Sequence, residues 1–585
     1  MTTQKFSRAQ IVTAVWFIIF AIFIIQLFRI QIIRHEELAT AADQMQISKR
    51  TINPRRGQIF TRDHGGTIAP LALNQTVYTV FADPSQVNDY SRIRNVVTRI
   101  AGEQILPDNL TEARLTDREN QFLVLARQIT NAQMLAIREE GLAGVGFQVS
   151  SRRVYPEGNL AAQVLGFVNA DGVGQYGIEQ FFNQELSGKP GLLQAVTDVR
   201  QIPLTIGAHD ISIPAIDGTD HILTIDRSIQ STVETFLKQG MESASVESGS
   251  VVVMDPQNGQ VLAMANFPTF NPEEYHQVTD VAAFQNSAVS YAFEPGSTMK
   301  VMMTGVALDR GVITPNTTFR NTGCVQIDDA RICNLSRQVD GRTMTMTEVL
   351  QWSLNTGVIW QLQQLGDGEI TRSARQIMFD YYSDHFRFNR ITGIEQPGEI
   401  SGWMEPPDTP HGARVTYANM TFGQGSSMTM VQFTAAFAAT INGGIFYQPT
   451  LIYGTFDEDG KKILNEPRIL RENVLSRRAS ADLMQMIYDS RRMNRPNAYH
   501  GFFTGAKTGT AQVFDPATGR YSDTITIGTA IGFGADRDKT ARYVIMVRLD
   551  GYDQRVNNNI TAGVFAINIF DNIANFMNQY KGISK

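Results

Sequence analysis

Between Ile11 and Phe28 the chain reads IVTAVWFIIFAIFIIQLF, an apolar run with no charged side chain and only Thr13 and Gln26 as clear polar interruptions. About 20 apolar residues carry a helix across the hydrocarbon core of a bilayer, whereas a helix on the surface of a soluble domain keeps charge along one side. Ile30, Ile32 and Ile33 extend the apolar stretch, so a tilted span over 11–33 is expected, with 1–10 as a short tail. A cleaved leader fits less well. Its best cleavage candidate, Ala39-Thr40-Ala41, is separated from the run by charged Arg34, Glu36 and Glu37. Lys5 and Arg8 precede the span and Arg29 and Arg34 follow it, so the flanking charge is nearly balanced and does not set the orientation.

The rest of the chain is too long for one ordinary domain: 585 residues in all, with 43% hydrophobic content, normal for a globular protein. A net charge of −6 argues against broad nucleic-acid binding, which needs a basic footprint. Two cysteines and eight scattered histidines form no zinc-finger or iron–sulfur framework, and no HExxH occurs, so neither metal nor cofactor is expected.

No later segment is long and apolar enough to span a membrane. Residues 36–50, rich in Ala and Gln, predict a polar helix that Asn53-Pro54-Arg55-Arg56-Gly57 breaks. Short strands are predicted over 57–60, 76–81, 145–149, 163–168 and 193–199, with Arg- and Glu-rich helical patterns between 90 and 145. Near Asp220 the character changes. A strand over 221–226 leads into a helix over 229–240, and the runs 249–255 and 260–265 flank Pro256-Gln257-Asn258-Gly259, a hairpin signal. A strand pair over 524–533 and 541–549, the polar run 557–559 and a helix over 562–579 follow. The whole predicts an α+β chain whose second part, 221–585, is a sheet covered by helices, after a mixed α/β region over 34–220.

Gly172-Val173-Gly174-Gln175-Tyr176-Gly177 matches GxGxxG, but no βαβ alternation surrounds it, so a structural turn is the better reading. Gly505-Ala506-Lys507-Thr508 lacks the glycine that a phosphate loop places directly before its lysine.

Three other motifs carry chemistry. In Glu294-Pro295-Gly296-Ser297-Thr298-Met299-Lys300 a turn opens a helix that is apolar almost all round through Leu308 and stops near Gly311. Ser297 and Lys300 then lie one turn apart on a buried helix, where burial lowers the lysine pKa and makes a neutral amine available as a base. In Trp352-Ser353-Leu354-Asn355, after a Thr345-xx-Glu348 capping box, the i,i+2 pair Ser353 and Asn355 converges only from a helix end. Thr356-Gly357 is the expected break. In Ala506-Lys507-Thr508-Gly509-Thr510-Ala511-Gln512, β-branched residues alternate about a glycine, as in a strand that another backbone approaches closely. Lys507, Thr508 and Thr510 offer a cation and donors to a carboxylate. Each motif alone fits an ordinary solvated Ser, Lys or Asn. The three in this order are the signature of penicillin-binding proteins and serine β-lactamases.

The chain resembles the class B penicillin-binding proteins, membrane-anchored peptidoglycan D,D-transpeptidases. The resemblance extends to Arg56-Gly57 through Arg62-Asp63-His64-Gly65, Arg153-Val154-Tyr155-Pro156 and Gly174-Gln175-Tyr176-Gly177-Ile178-Glu179, which look like pedestal motifs. It also takes in Thr392-Gly393 through Gly398-Glu399 and Phe422-Gly423-Gln424-Gly425. It implies an anchor, a pedestal (dimerisation-like) domain and a transpeptidase domain with an antiparallel sheet. It implies that Ser297 is the nucleophile, that Lys300 accepts its proton, and that Ser353 with Lys507 relays protons. Asn355 would hold the acyl-chain amide, and Thr508 and Thr510 the donor carboxylate, with Gly509 between them. The backbone N–H groups of Ser297 and Thr510 would form the oxyanion hole. The implied partners are stem peptides, β-lactams, the membrane, an integral-membrane glycan polymerase and other division proteins. The bulk of the chain would then be extracytoplasmic, on a single-pass anchor. The segment 385–390 lacks the family's usual Gly-rich phrase, and 530–535 lacks its proline. A cell-division role is favoured over an elongation role, from Ser353-Leu354-Asn355-Thr356-Gly357 and Phe422 to Gly425. A serine β-lactamase, usually a single domain without anchor or pedestal, and a β-lactam sensor are the alternatives.

Cys324 to Cys333 reads as a hairpin with alternating apolar residues about Asp328-Asp329, which sets the two cysteines opposite each other. A disulfide is expected in an outside domain; a pair of buried thiols is the alternative.

Overall fold

The computed structural model describes residues 7–38, 47–196, 211–457, 459–495, 501–515, 519–556 and 560–584. The apolar run is helical over Arg8–Phe28 and continues as a π-turn over Arg29–Ile33. Ser7 caps the start, its hydroxyl accepting from Gln10 N while the Gln10 side chain returns the bond. None of the helix is buried against protein. Its 26 residues span about 39 Å, longer than the ~30 Å hydrocarbon core, as a tilted span requires.

Two compact units divide the chain: Met1–Arg56 with Ser187–Gly218, and Gly57–Leu186 with Thr219–Lys585. In the first, Ile47–Ile52, Gly191–Val196 and Ile211–Ile213 form a three-stranded antiparallel sheet. This corrects the helix expected over 36–50: residues 47–50 are strand, because pairing with Gly191–Val196 outweighs a weak local helical preference. The expectation holds at 36–38, which are helical, and its stretch from 39 to 46 lies outside the described residues, as do 197–199 of the strand expected there.

In the larger unit, Ile59–Arg62 pairs in parallel with His221–Asp226 and antiparallel with Ile68–Ala82, so these early strands and the strand entering the second half share one sheet. Arg153, its side chain nearly buried, and fully buried Glu179 form an ion pair of 2.7 Å, and Arg153 also reaches Gly57 O and Asn74 Oδ1. The strand expected over 163–168 is instead a helical turn, Ala162–Leu165, followed by the two-residue strand Phe167–Val168. Gly166, at φ 74°, ends that turn and packs its backbone where a Cβ would stand 2.1 Å from Tyr176 O. Phe167–Val168 pairs with Gly174–Gln175, so the GxGxxG run supplies the turn and second arm of a tight hairpin, and its last glycine, Gly177, begins a short helix.

The remainder is a five-stranded antiparallel sheet: β1 (Ser248–Met254), β2 (Val261–Phe267), β3 (Phe503–Asp515), β4 (Arg520–Ala535) and β5 (Ala541–Asp553), in the order β2-β1-β5-β4-β3. One face is covered by α1 (Arg227–Ala244) and a C-terminal helix, Ala562–Tyr580, through Val233, Leu237, Val251, Ile545, Phe570 and neighbours. The other packs on α2 (Met299–Asp309) and on the helices Met430–Ile441 and Arg477–Asn494. Every residue of α2 from Met299 to Leu308 is buried; each large apolar side chain so placed contributes roughly 1.5–3 kcal/mol.

Candidate active site

Gly296–Thr298 forms a 3₁₀ turn that runs directly into α2, so Ser297 sits at the helix start, half-buried, one turn before Lys300. Gly296 is at φ 61°, and a Cβ there would come within 2.9 Å of Thr510 O. Only glycine therefore lets the Ser297 turn close onto β3. From the other side, Gly296 N donates to Gly423 O at 3.2 Å.

The second motif lies between α3 (Met346–Gln351), opened by the Thr345–Glu348 capping box, and α4 (Asn355–Gln364). The break expected at Thr356-Gly357 falls earlier, at Ser353-Leu354, and Thr356 and Gly357 lie inside α4. Its cause is Ser353, whose φ of 54° is left-handed and stops α3 without a glycine. A non-glycine residue there costs about 1–2 kcal/mol, a strain found mostly where function requires the conformation. Here it brings both oxygens of Ser353 to Lys300: Nζ donates to Ser353 O at 2.6 Å and lies 3.1 Å from Ser353 Oγ.

The third motif lies on β3, an edge strand of the sheet. Lys507 Nζ donates to Ser353 Oγ at 2.9 Å and to Thr508 O at 2.9 Å. Lys300, Ser353 and Lys507 thus form one continuous polar chain, whose Lys300 end lies one helical turn after Ser297. Lys300 is fully buried and Lys507 nearly so. Burial, reinforced by the charge of Lys507, holds Lys300 well below the usual lysine range. Burial, with a smaller push from Arg491, brings Lys507 down to about 7. Thr508 and Thr510 are half-buried, and Thr510 Oγ1 stands beside Gly563 at the start of the C-terminal helix. Gly509 is buried, with no room for a Cβ between Thr529 Oγ1 and Pro295 O.

Asn355 heads α4 and donates from Nδ2 to Cys333 O at 3.0 Å. Cys333 pairs in register with Cys324 across the Cys324–Ile327 and Ala330–Cys333 hairpin. Their Cα atoms are 4.0 Å apart and a disulfide joins them.

Other contributors are not visible in the motifs. Asn334 Oδ1 accepts from Thr356 N at 3.0 Å, and Asn334 Nδ2 donates to Asn321 Oδ1 at 2.9 Å, a buried network that fixes the start of α4. Glu294 Oε1 accepts from Gly425 N at 2.8 Å and Tyr521 Oη at 2.9 Å, clamping the segment before Ser297. Burial pushes the Glu294 carboxyl up, and these two bonds oppose the push. Such long-range partners leave no local pattern; only the position of Glu294 beside the first motif hinted at it.

Comparison with known proteins extends this picture. Residues 249–567, more than half of the chain, match the penicillin binding protein transpeptidase domain family, and 51–206 match the penicillin-binding protein dimerisation domain. The chain is 29% identical to the stage V sporulation protein D of Bacillus subtilis, over 91% of this chain and 80% of that protein. It is 29% identical to the peptidoglycan D,D-transpeptidase FtsI of Escherichia coli, over 88% of this chain and 83% of that one. The fold matches the crystal structure of penicillin binding protein 2X from Streptococcus thermophilus with a TM-score of 0.72 at 23% identity, covering 92% of this chain and 81% of the other.

Proposed function

The chain is a class B penicillin-binding protein, and from that premise we propose that it cross-links peptidoglycan stem peptides as a serine-type D,D-transpeptidase. The observation that carries the mechanism is the shared hydroxyl of Ser353, within hydrogen-bond distance of both Lys300 and Lys507. Ser297 attacks the carbonyl of the penultimate D-alanine and passes its proton to neutral Lys300. The amine departs with a proton delivered through Ser353 from Lys507, and terminal D-alanine leaves. The amine of a neighbouring stem peptide then attacks the acyl-enzyme and gives its proton through Ser353 to Lys507, while the ester bond to Ser297 breaks and Lys300 returns the proton to the Ser297 oxygen. N–H groups of Ser297 and Thr510 hold the oxyanion. Gly296 packing against Thr510 O supports that assignment by drawing the two segments together. Asn355 aligns the acyl-chain amide, and Thr508 and Thr510, at the free edge of β3, receive the donor carboxylate. β-Lactams acylate Ser297 in place of the donor.

In this reading 1–10 is a cytoplasmic tail, 11–33 the single-pass anchor, 34–220 the pedestal and 221–585 the extracytoplasmic transpeptidase. An integral-membrane glycan polymerase supplies the strands, and the cell-division role is favoured on the Ser353–Gly357 and Phe422–Gly425 phrases. The test supplies the purified full chain with nascent glycan carrying pentapeptide stems and follows free D-alanine and cross-linked product. Both should form with the wild type and neither with Ser297→Ala. Cross-linking that survives Ser297→Ala would refute the mechanism. Rapid penicillin hydrolysis without cross-linking would favour the β-lactamase reading.

A further inference from the structure

Among the described residues Arg548, in β5, is the largest fully buried side chain, at 1% exposure. Its Nε pairs with Asp550 at 3.1 Å, while its Nη1 meets no hydrogen-bond partner. Removing a guanidinium from water is expensive unless its donors are satisfied, and a sheet interior would pack as well around an aliphatic residue. The steps proposed for the reaction give Arg548 no part.

Its register indicates what it holds. Arg548 stands opposite Ser250 of β1 and Thr529 of β4, and Thr529 stands opposite Gly509 of β3. Directly opposed residues of neighbouring strands share a face, so Gly509, Thr529, Arg548 and Ser250 form one row across the sheet. This row meets the segment leading into Ser297. Thr529 Oγ1 donates to Pro295 O at 3.0 Å. The Arg548 guanidinium carbon lies 4.8 Å from the ring centroid of Tyr291 and 5.2 Å from that of Phe293. Phe293 also exchanges backbone hydrogen bonds with Met428, at 3.0 and 3.1 Å. Phe293 is buried and Tyr291 exposed; a planar cation over such rings fixes their placement more narrowly than an aliphatic side chain of similar volume would.

We propose that Arg548 is a positioning residue: through Tyr291 and Phe293 it sets how segment 291–295 rests on the sheet, and so the placement of Ser297 against β3. The proposal rests on the reading of Ser297 as nucleophile. Reactivity is sensitive to such placement, since a 1 Å displacement can cost about 100-fold in rate.

The test is stopped-flow acylation of the full chain in detergent by a fluorescent penicillin. It resolves the dissociation constant of the non-covalent complex from the acylation rate constant k2. In Arg548→Met, k2 should fall about 10- to 100-fold, with the dissociation constant nearly unchanged. Arg548→Lys, which keeps the charge and loses the planar face, should recover part of the loss. Phe293→Leu should lower k2 and combine non-additively with Arg548→Met, because the two act through one contact. If Arg548→Met fails to fold because Asp550 is left unpaired, R548M/D550N removes the stranded carboxylate and is judged by the same k2. A k2 within about twofold of wild type in folded Arg548→Met, R548M/D550N or Phe293→Leu, or strictly additive losses, would overturn the proposal. So would loss of binding with k2 unchanged. The reading of Ser297 fails separately: peptide mapping of the wild-type adduct then finds the penicillin on another residue.

Discussion

Lys507 Nζ lies 2.9 Å from Ser353 Oγ, the hydroxyl that also stands 3.1 Å from Lys300 Nζ. Two buried amines sharing one hydroxyl cannot both carry charge cheaply. Burial lowers both, and Lys507 lowers Lys300 further. Burial thus favours the neutral form of both amines, and a charge on Lys507 favours it further at Lys300.

Removing the Lys507 charge should therefore let the Lys300 pKa rise. Acylation by penicillin, which needs neutral Lys300, should in Lys507→Gln be slower overall, with its acid limb at higher pH than in the wild type. The pH profile of the acylation rate checks this; an unmoved limb would show that the two amines are not coupled.

The same depression of Lys507 makes stability depend on pH. Its folded pKa of about 7 lies below its ordinary 10.5, so between these values the unfolded chain binds more protons and stability rises with pH. That contribution is complete above about 10.5 and is lost as pH falls through 7. Denaturant titrations at pH 7 and pH 9 should show wild type gaining on Lys507→Met at the higher pH. A gap that stays constant would contradict the depressed pKa.

Ser353 separates strain from chemistry. Ser353→Ala keeps the left-handed φ of 54° and loses the hydroxyl, whereas Ser353→Gly also relieves the backbone. Ser353→Gly should unfold with a free energy about 1 kcal/mol higher than Ser353→Ala. Both should lose acylation by about 100-fold or more, as expected when a proton relay is removed. Equal stabilities of the two variants would argue against the strained geometry.

The Cys324–Cys333 bridge closes a short loop and should contribute about 2–3 kcal/mol by the chain-entropy estimate. Because Cys333 O accepts from Asn355, the double Cys→Ser variant should also bind penicillin more weakly before acylation while keeping Ser297 reactive. Unfolding and acylation measured on the same variant check both parts. Two free thiols in native protein, by alkylation and mass shift, would refute the bridge.

The chemistry was legible because it sits in short local patterns. SxxK on an apolar helix foretold a buried lysine, and alternation about Gly509 foretold β3. The cysteine hairpin was readable for the same reason, through Ile327, Ile332 and a turn at Asp328. What escaped depends on distant pairing. Residues 47–50 became strand only by meeting Gly191–Val196. The break at Ser353 was misplaced because a serine, not a glycine, takes the left-handed turn. Asn334, Tyr521 and Arg548 reach Thr356, Glu294 and Phe293 from elsewhere in the chain, and no spacing rule connects them to Ser297.

The most direct test of the account is to label the wild-type protein and Ser297→Ala with a penicillin, digest each, and locate the added mass by mass spectrometry. One acyl adduct should appear, on the peptide containing Ser297, and none in the folded variant. An adduct on any other residue, or an undiminished adduct in Ser297→Ala, would contradict it.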